Sequence, residues 1–224
     1  MEKGKLIVIE GTDCSGKETQ SKLLVKKLNA MGIKAINLSF PMYDTPTGKI
    51  VGGPYLGRKE NGECWFPEGP VLVDPKISCL YYAADRKYNF PKIKEFLEQG
   101  YYVVLDRYVS SNMAHQGSKI EDPDERFNLF KWIDKLEYWL LELPKADSTI
   151  FLHVPYSLSK QLQKNRLFLD GYEKCDSYLI NTEKTYMELA SLYNWDVVDC
   201  VQKDDNTIRT IDEINKDILE IILK

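Results

Sequence analysis

Short apolar runs alternate with amphipathic stretches along the whole chain. Residues 6–9, 35–40, 102–105, 149–154 and 196–198 are brief and sharply bounded, as strands buried on both faces are. Between them the apolar positions change to helical spacing. Ile77, Leu80, Tyr81 and Ala84 follow i, i+3, i+4, i+7 and predict a core-facing stripe. So do Tyr186, Leu189, Ala190 and Tyr193, and a third stripe runs through Leu129, Ile133, Leu136 and Leu140. Asp74-Pro75 and Asp122-Pro123 each place a capping carboxylate before a proline at the first helical position. Thr210 and Glu213 have the capping-box spacing. This alternation predicts an α/β fold, a parallel five-stranded sheet with helices on both faces. Two stretches lack periodicity. Residues 57–70, rich in Gly, Pro and charge, read as an excursion from the core, and 164–171 as an irregular segment between two helices.

Composition narrows the function classes. The 224 residues, 43% hydrophobic and 29% charged, suit one large domain and argue against long disorder. A net charge of −4 argues against a nucleic-acid partner. No apolar run approaches the ~20 residues of a membrane helix, and the four apolar residues 6–9 are too few for a signal-peptide core. Cys14, Cys64, Cys79, Cys175 and Cys200 are odd in number and scattered, without a Cys-x-x-Cys pair or a histidine cluster. They read as reduced thiols of a cytoplasmic protein.

The first apolar run leads into Gly11-Thr12-Asp13-Cys14-Ser15-Gly16-Lys17-Glu18-Thr19 and then a helix carrying Leu23, Leu24 and Leu28. The bare Gly-x-x-x-x-Gly-Lys letters occur by chance in about one chain in fifteen of this length. The strand before and the helix after give them meaning: backbone N–H groups and a helix N-terminus cradle phosphate, and Lys17 can reach the β- and γ-phosphates of a nucleotide. Glu18 stands where a hydroxyl residue would hold Mg2+. Thr19 lies ~100° further round the helix and does not replace it. Glu18 either holds the metal or complements the helix dipole.

Four further segments follow in order: Phe40-Pro41-Met42-Tyr43, Leu80-Tyr81-Tyr82-Ala83-Ala84-Asp85-Arg86, Asp106-Arg107-Tyr108-Val109-Ser110-Ser111-Asn112, and Gly171-Tyr172-Glu173. With the phosphate loop and Leu143-Pro144-Lys145-Ala146-Asp147, the chain resembles the thymidylate kinase family of P-loop nucleoside monophosphate kinases. The resemblance implies a single P-loop NTPase-type domain over 1–224, with a phosphate loop at 11–19, an acceptor-binding region at 40–116 and a short lid at about 160–173. It also implies transfer of the γ-phosphoryl of ATP to dTMP, giving dTDP and ADP, and a homodimer.

The acceptor in that reaction is an anion, so it needs neutralisation and alignment more than a base. Arg107, just past the end of a strand, suits bidentate phosphate binding. By family analogy Tyr43 adds a hydroxyl donor to the same phosphate. Tyr82 and Arg86 share a helix stripe distinct from the apolar one. By the same analogy they hold the base, with Phe40 and Pro41 nearby. Ser111, Asn112 and Gln116 follow as further acceptor contacts, while His115 either touches the nucleotide or packs. Asp13 receives the sugar 3′-hydroxyl or organises magnesium. Asp106 and Glu173 join Glu18 as metal candidates, and by family analogy Tyr172 would crowd a 2′-hydroxyl. The loop carries Cys14 and Ser15 and no arginine, which leaves Arg166 to reach the transferring phosphoryl. Beside Lys17 and a helix N-terminus, the Cys14 thiol is expected to be reactive.

Two other functions stay open at this point. A deoxynucleoside kinase needs a carboxylate base, with Glu10, Asp13 and Asp106 as candidates. A switch or noncatalytic nucleotide-binding paralogue is the second. Asn215-Lys216-Asp217-Ile218 lacks the final Asp of a guanine-reading Asn-Lys-x-Asp.

Overall fold

A computed structural model describes residues 3–163, 175–202 and 207–224. Five strands, β1 (Leu6–Gly11), β2 (Ala35–Ser39), β3 (Tyr102–Asp106), β4 (Ser148–His153) and β5 (Asp196–Asp199), form one sheet in the order β2-β3-β1-β4-β5. Every pairing is parallel. β1 lies at the centre with all six residues buried; the apolar run 6–9 anticipated the first four, and Glu10 and Gly11 extend the strand. Helices α1 (Lys17–Ala30) and α8 (Ile211–Ile222) cover one face through Leu24, Leu28, Ile214 and Ile218. The other face lies under α3 (Pro75–Glu98), α4 (Val109–Gly117), α5 (Pro123–Asp134) and α7 (Asp176–Leu192). Among the described residues two short α-helices are added, α2 (Pro46–Ile50), which runs on in π geometry through Val51–Tyr55, and α6 (Tyr156–Gln163). This is the expected layered α/β architecture.

The caps form as the sequence indicates. Asp74 accepts from the Lys76 and Ile77 amides, Asp122 from the Glu125 amide, and Thr210 and Glu213 close a reciprocal capping box. Of the stripe Tyr186, Leu189, Ala190 and Tyr193, the first three are buried as expected and Tyr193 is partly exposed.

Two stripes differ. On α3, Ile77 and Leu80 are about half exposed, while Asp85, Arg86, Asn89 and Cys79 are buried. The helix turns its polar side toward the protein because each of those polar groups finds a partner there, which removes the cost of burying it. On the third stripe Leu129 and Ile133 are buried, but from Lys135 to Leu140 the helix runs in π geometry. The wider turn shifts the phase, so Glu137 is fully buried and Leu140 is exposed.

Residues 57–70 form no helix or strand. They lie beside a small cluster in which Val51, Tyr55, Leu56 and Val73 pack with Tyr178 and Leu179 of α7. The Lys119 ammonium ties the end of the excursion down by donating to the carbonyls of Pro70 and Val73 at 2.9 and 3.0 Å.

Candidate active site

The phosphate loop joins β1 to α1 at the carboxyl edge of the sheet. Gly16 has φ 86°, a conformation only glycine adopts without strain, and it opens the N-terminus of α1. The Lys17 ammonium is buried and donates to the Thr12 carbonyl at 2.7 Å. Burial, reinforced by the charge of Arg107, lowers its pKa to about 8. The Thr12 and Ser15 hydroxyls are buried and have no hydrogen-bond partner among the described residues. A cradle with two spare hydroxyls and a buried cation suits an anionic ligand.

A cleft of about 490 Å³ opens from this loop toward α3 and α4. It brings together Asp13, Cys14, Gly16, Lys17, Glu18 and Thr19 of the loop with Phe40, Pro41, Tyr43, Tyr82, Arg86, Asp106, Arg107, Ser111, Asn112 and Gln116. The expected residues from four distant stretches thus share one wall or another of a single cavity. Gly11 ends β1, and Thr12 and Ser15 lie within the loop. Arg166, Tyr172 and Glu173, with Lys164 and Lys174, lie outside the described residues.

Arg107 follows β3 in a left-handed conformation, φ 69°, and Cys14 does the same at 64°. Such backbone strain in a non-glycine residue is typical of functional sites. The guanidinium donates to the Asp13 carboxylate and to His115 Nε2, the latter at 3.0 Å. Burial opposes its charge, but Asp13 and its other neighbours outweigh that and hold its pKa well above the ordinary value. Burial, with Arg107 adding, pulls His115 the other way, down to about 3.

Glu10 fixes the segment that carries Arg107. It accepts from the Tyr108 amide at 3.0 Å, the Ser110 hydroxyl at 2.8 Å, the Ser111 amide and hydroxyl at 3.0 and 2.6 Å, and the Tyr186 hydroxyl at 2.9 Å. Ser111 lines the cleft, but its hydroxyl is committed to this carboxylate.

On the acceptor side Arg86 meets Glu137 through two parallel bonds of 2.5 Å, both side chains being buried. Burial opposes the Arg86 charge, and Glu137 more than restores it, raising its pKa. Asn112 donates to Glu137 at 3.0 Å and to the Cys79 carbonyl at 3.3 Å. Its own carbonyl oxygen is buried without a hydrogen-bond partner among the described residues. An amide oxygen of this kind can accept a hydrogen bond. Tyr82 packs edge-on against Tyr55, and Phe40 lies against Tyr108, joined to Pro41 by a cis peptide. Asp85 holds this loop by accepting from the Met42 amide at 2.9 Å and the Thr47 hydroxyl at 2.8 Å.

Sequence reasoning missed Glu137 and Asp85. Each is a carboxylate beside, and not within, the apolar stripe assigned to its helix, so the stripe pattern carried no signal for it.

Among the described residues no three His, Cys, Asp or Glu side chains cluster as a metal cage. Magnesium needs none, since it is held by one or two carboxylates together with phosphates. Asp106 fits: it lines the cleft, and its buried Oδ1 has no hydrogen-bond partner among the described residues. Glu18 is exposed and bonded to Lys22 at 2.5 Å.

A family model described as thymidylate kinase matches residues 9–211. Human thymidylate kinase is 31% identical over 218 residues, covering 96% of this chain and 88% of that protein. The Plasmodium falciparum thymidylate kinase is 30% identical, covering 99% and 91%. Among solved structures, thymidylate kinase from Candida albicans aligns with a TM-score of 0.71 at 28% identity, covering 99% of this chain and 92% of that one.

Proposed function

The chain belongs to the thymidylate kinase family and is a dTMP kinase that forms dTDP; on that premise we propose how its residues divide the work. One observation carries the proposal. Lys17 and Arg107 line the same cleft, close enough for the arginine's charge to lower the lysine's pKa. Lys17 and the amides of loop 11–19, with Thr12 and Ser15 hydroxyls, hold the phosphates of the donor, ATP. Arg107, aimed by Asp13 and His115, holds the phosphate of dTMP, with Tyr43 donating its hydroxyl. Tyr82 and Phe40 flank the thymine, and Asn112 Oδ1 accepts from its N3–H. Arg86 acts with Glu137 to keep Asn112 in place and presents to the base an N–H that neither Glu137 nor the Tyr108 carbonyl takes. Asp106 would hold Mg2+, which when bound offsets charge on the β- and γ-phosphates. The protein's own contribution is alignment of two anions in a site already charged to receive them.

This division disfavours a deoxynucleoside kinase, which needs a free carboxylate to take a hydroxyl proton. Glu10 is saturated by five donors, Asp13 is engaged with Arg107, and Asp106, whose Oδ1 is open among the described residues, is the carboxylate given to Mg2+ in this reading. A homodimer fits the apolar stripe that α3 leaves on the surface, with Ile77, Leu80 and Tyr88 exposed. No helix among the described residues is long and apolar enough to cross a membrane. The five cysteines are free thiols, which suits a reducing, cytoplasmic setting.

The test is a panel of nucleoside monophosphates, and thymidine, incubated with ATP and magnesium and assayed for ADP and diphosphate. Turnover with dTMP and none with thymidine is expected. Turnover with thymidine, or ADP release independent of any acceptor, would overturn the assignment.

A further inference from the structure

Residues 57–70 have no periodicity and no regular structure, yet their first turn is built with care. The Arg58 amide donates to the Gly52 carbonyl at 2.8 Å, and the Arg58 carbonyl accepts from Asn61 and Gly62 at 2.8 and 3.0 Å. Asn61 then reaches back and donates its side-chain amide to the Tyr43 carbonyl at 3.2 Å. Gly53 permits this approach, because a Cβ there would stand 2.1 Å from the Asn61 carbonyl oxygen. The turn is therefore stapled onto the residue that the cleft presents as a hydroxyl donor.

The staple sets Arg58 against that residue. Its guanidinium carbon lies 4.3 Å from the centroid of the Tyr43 ring, and both side chains line the cleft. The other cations of the cleft are neutralised or anchored: Arg86 by Glu137, Arg107 by Asp13, and Lys17 by the Thr12 carbonyl. Arg58 is half-buried and, among the described residues, forms no salt bridge. A guanidinium resting on an aromatic face keeps its N–H edges available, and its fork matches a phosphate.

We propose that Arg58 is a substrate-binding residue that grips the phosphate monoester of the incoming nucleotide beside Arg107 and Tyr43. The excursion 57–70 exists, in this view, to bring a second guanidinium to the acceptor. The inference rests on the dTMP kinase reading and adds a residue that the phosphate-loop and Asp-Arg-Tyr motifs do not contain.

Calorimetric titration of the full chain with dTMP, thymidine and ATP tests it, alongside Arg58→Ala, Arg58→Lys and thermal midpoints. Arg58→Ala should weaken dTMP binding at least fivefold while thymidine and ATP binding change less than fivefold, and Arg58→Lys should recover part of the loss. If Arg58→Ala does not fold, Arg58→Gln serves in its place. A smaller effect on dTMP, equal weakening of dTMP and thymidine, or a loss confined to ATP each overturns the assignment. The unaltered protein separates this from the parent reading. If it does not bind dTMP, the kinase assignment falls first. If it binds dTMP and the variants bind as well, only Arg58 is displaced.

Discussion

His115 Nε2 accepts a hydrogen bond from Arg107 Nη1 at 3.0 Å, which requires the imidazole to be neutral. Its proton then sits on Nδ1, facing the Tyr178 hydroxyl 2.8 Å away. A protonated His115 would lose its acceptor and set two cations side by side. Burial, then Arg107, Lys17 and Lys119, press against its charge, and Asp13 favours it.

The linkage follows in sign. Unfolded, the imidazole titrates near 6.5, and in the folded protein near 3. The unfolded chain binds more protons between those values, so the stabilisation is complete above pH 6.5 and is lost as pH falls toward 3. At ~1.4 kcal/mol per pH unit, about 2 kcal/mol should disappear between pH 6.5 and 5. Urea unfolding at both values should show wild type losing that much more stability than His115→Asn, which has no group to titrate. Equal losses would mean that His115 is protonated in the fold.

The Arg86–Glu137 pair sets a different expectation. Removing one partner leaves a buried charge alone, so Glu137→Leu should cost roughly 3–5 kcal/mol in urea unfolding. Replacing both, as Arg86→Met with Glu137→Leu, should recover most of that stability. dTMP binding should stay weakened at least tenfold in the double variant, because the base then lacks the guanidinium and the anchored Asn112. Full recovery of dTMP affinity would confine the pair to a packing role.

Much of this arrangement was legible beforehand, and the reasons differ by element. The inner strands were readable because a strand buried on both faces is a short apolar run with hard ends, as residues 6–9 of β1 are, whereas the edge strands β2 and β5 are more exposed and fit that pattern less closely. The three caps were readable because capping is local chemistry between residues two or three apart. The α3 stripe was misread because Ile77 and Leu80 predict burial only if nothing polar competes for the inside, and Asp85 and Arg86 find their partners on Met42, Thr47 and Glu137, far off in sequence. Glu137 was hidden for a related reason. The π-helical phase shift that buries it leaves no mark in an i, i+3, i+4 pattern.

Lys17 gives a prediction at alkaline pH. With its pKa lowered to about 8 by burial and by Arg107, the free protein loses this charge as pH rises past 8. A triphosphate bound beside it would favour the charged form. kcat/KM for ATP should therefore fall about tenfold per pH unit above 8, whereas kcat at saturating ATP should hold to higher pH. Lys17→Arg, which stays protonated, should have lower activity but no such limb. An identical alkaline profile in that variant would place the titrating group elsewhere.

The exposed side of α3 leads to the last expectation. Ile77 and Leu80 follow helical spacing, and Ala84 and Tyr88 extend the same stripe by one turn each. An apolar stripe of that length on a 24-residue helix is a poor surface for a monomer. Burying a large apolar side chain is worth ~1.5–3 kcal/mol, and a two-fold axis counts each contribution twice. A single charge in the middle of the stripe should therefore be enough to separate the subunits. Sedimentation equilibrium should give twice the 26.0 kDa chain mass for wild type and the chain mass for Leu80→Glu. Because Arg86 and Tyr82 lie on the same helix and line the cleft, the separated subunit should also bind dTMP less tightly. A wild-type protein that sediments at the chain mass removes the dimer. A Leu80→Glu dimer would place the interface on another surface.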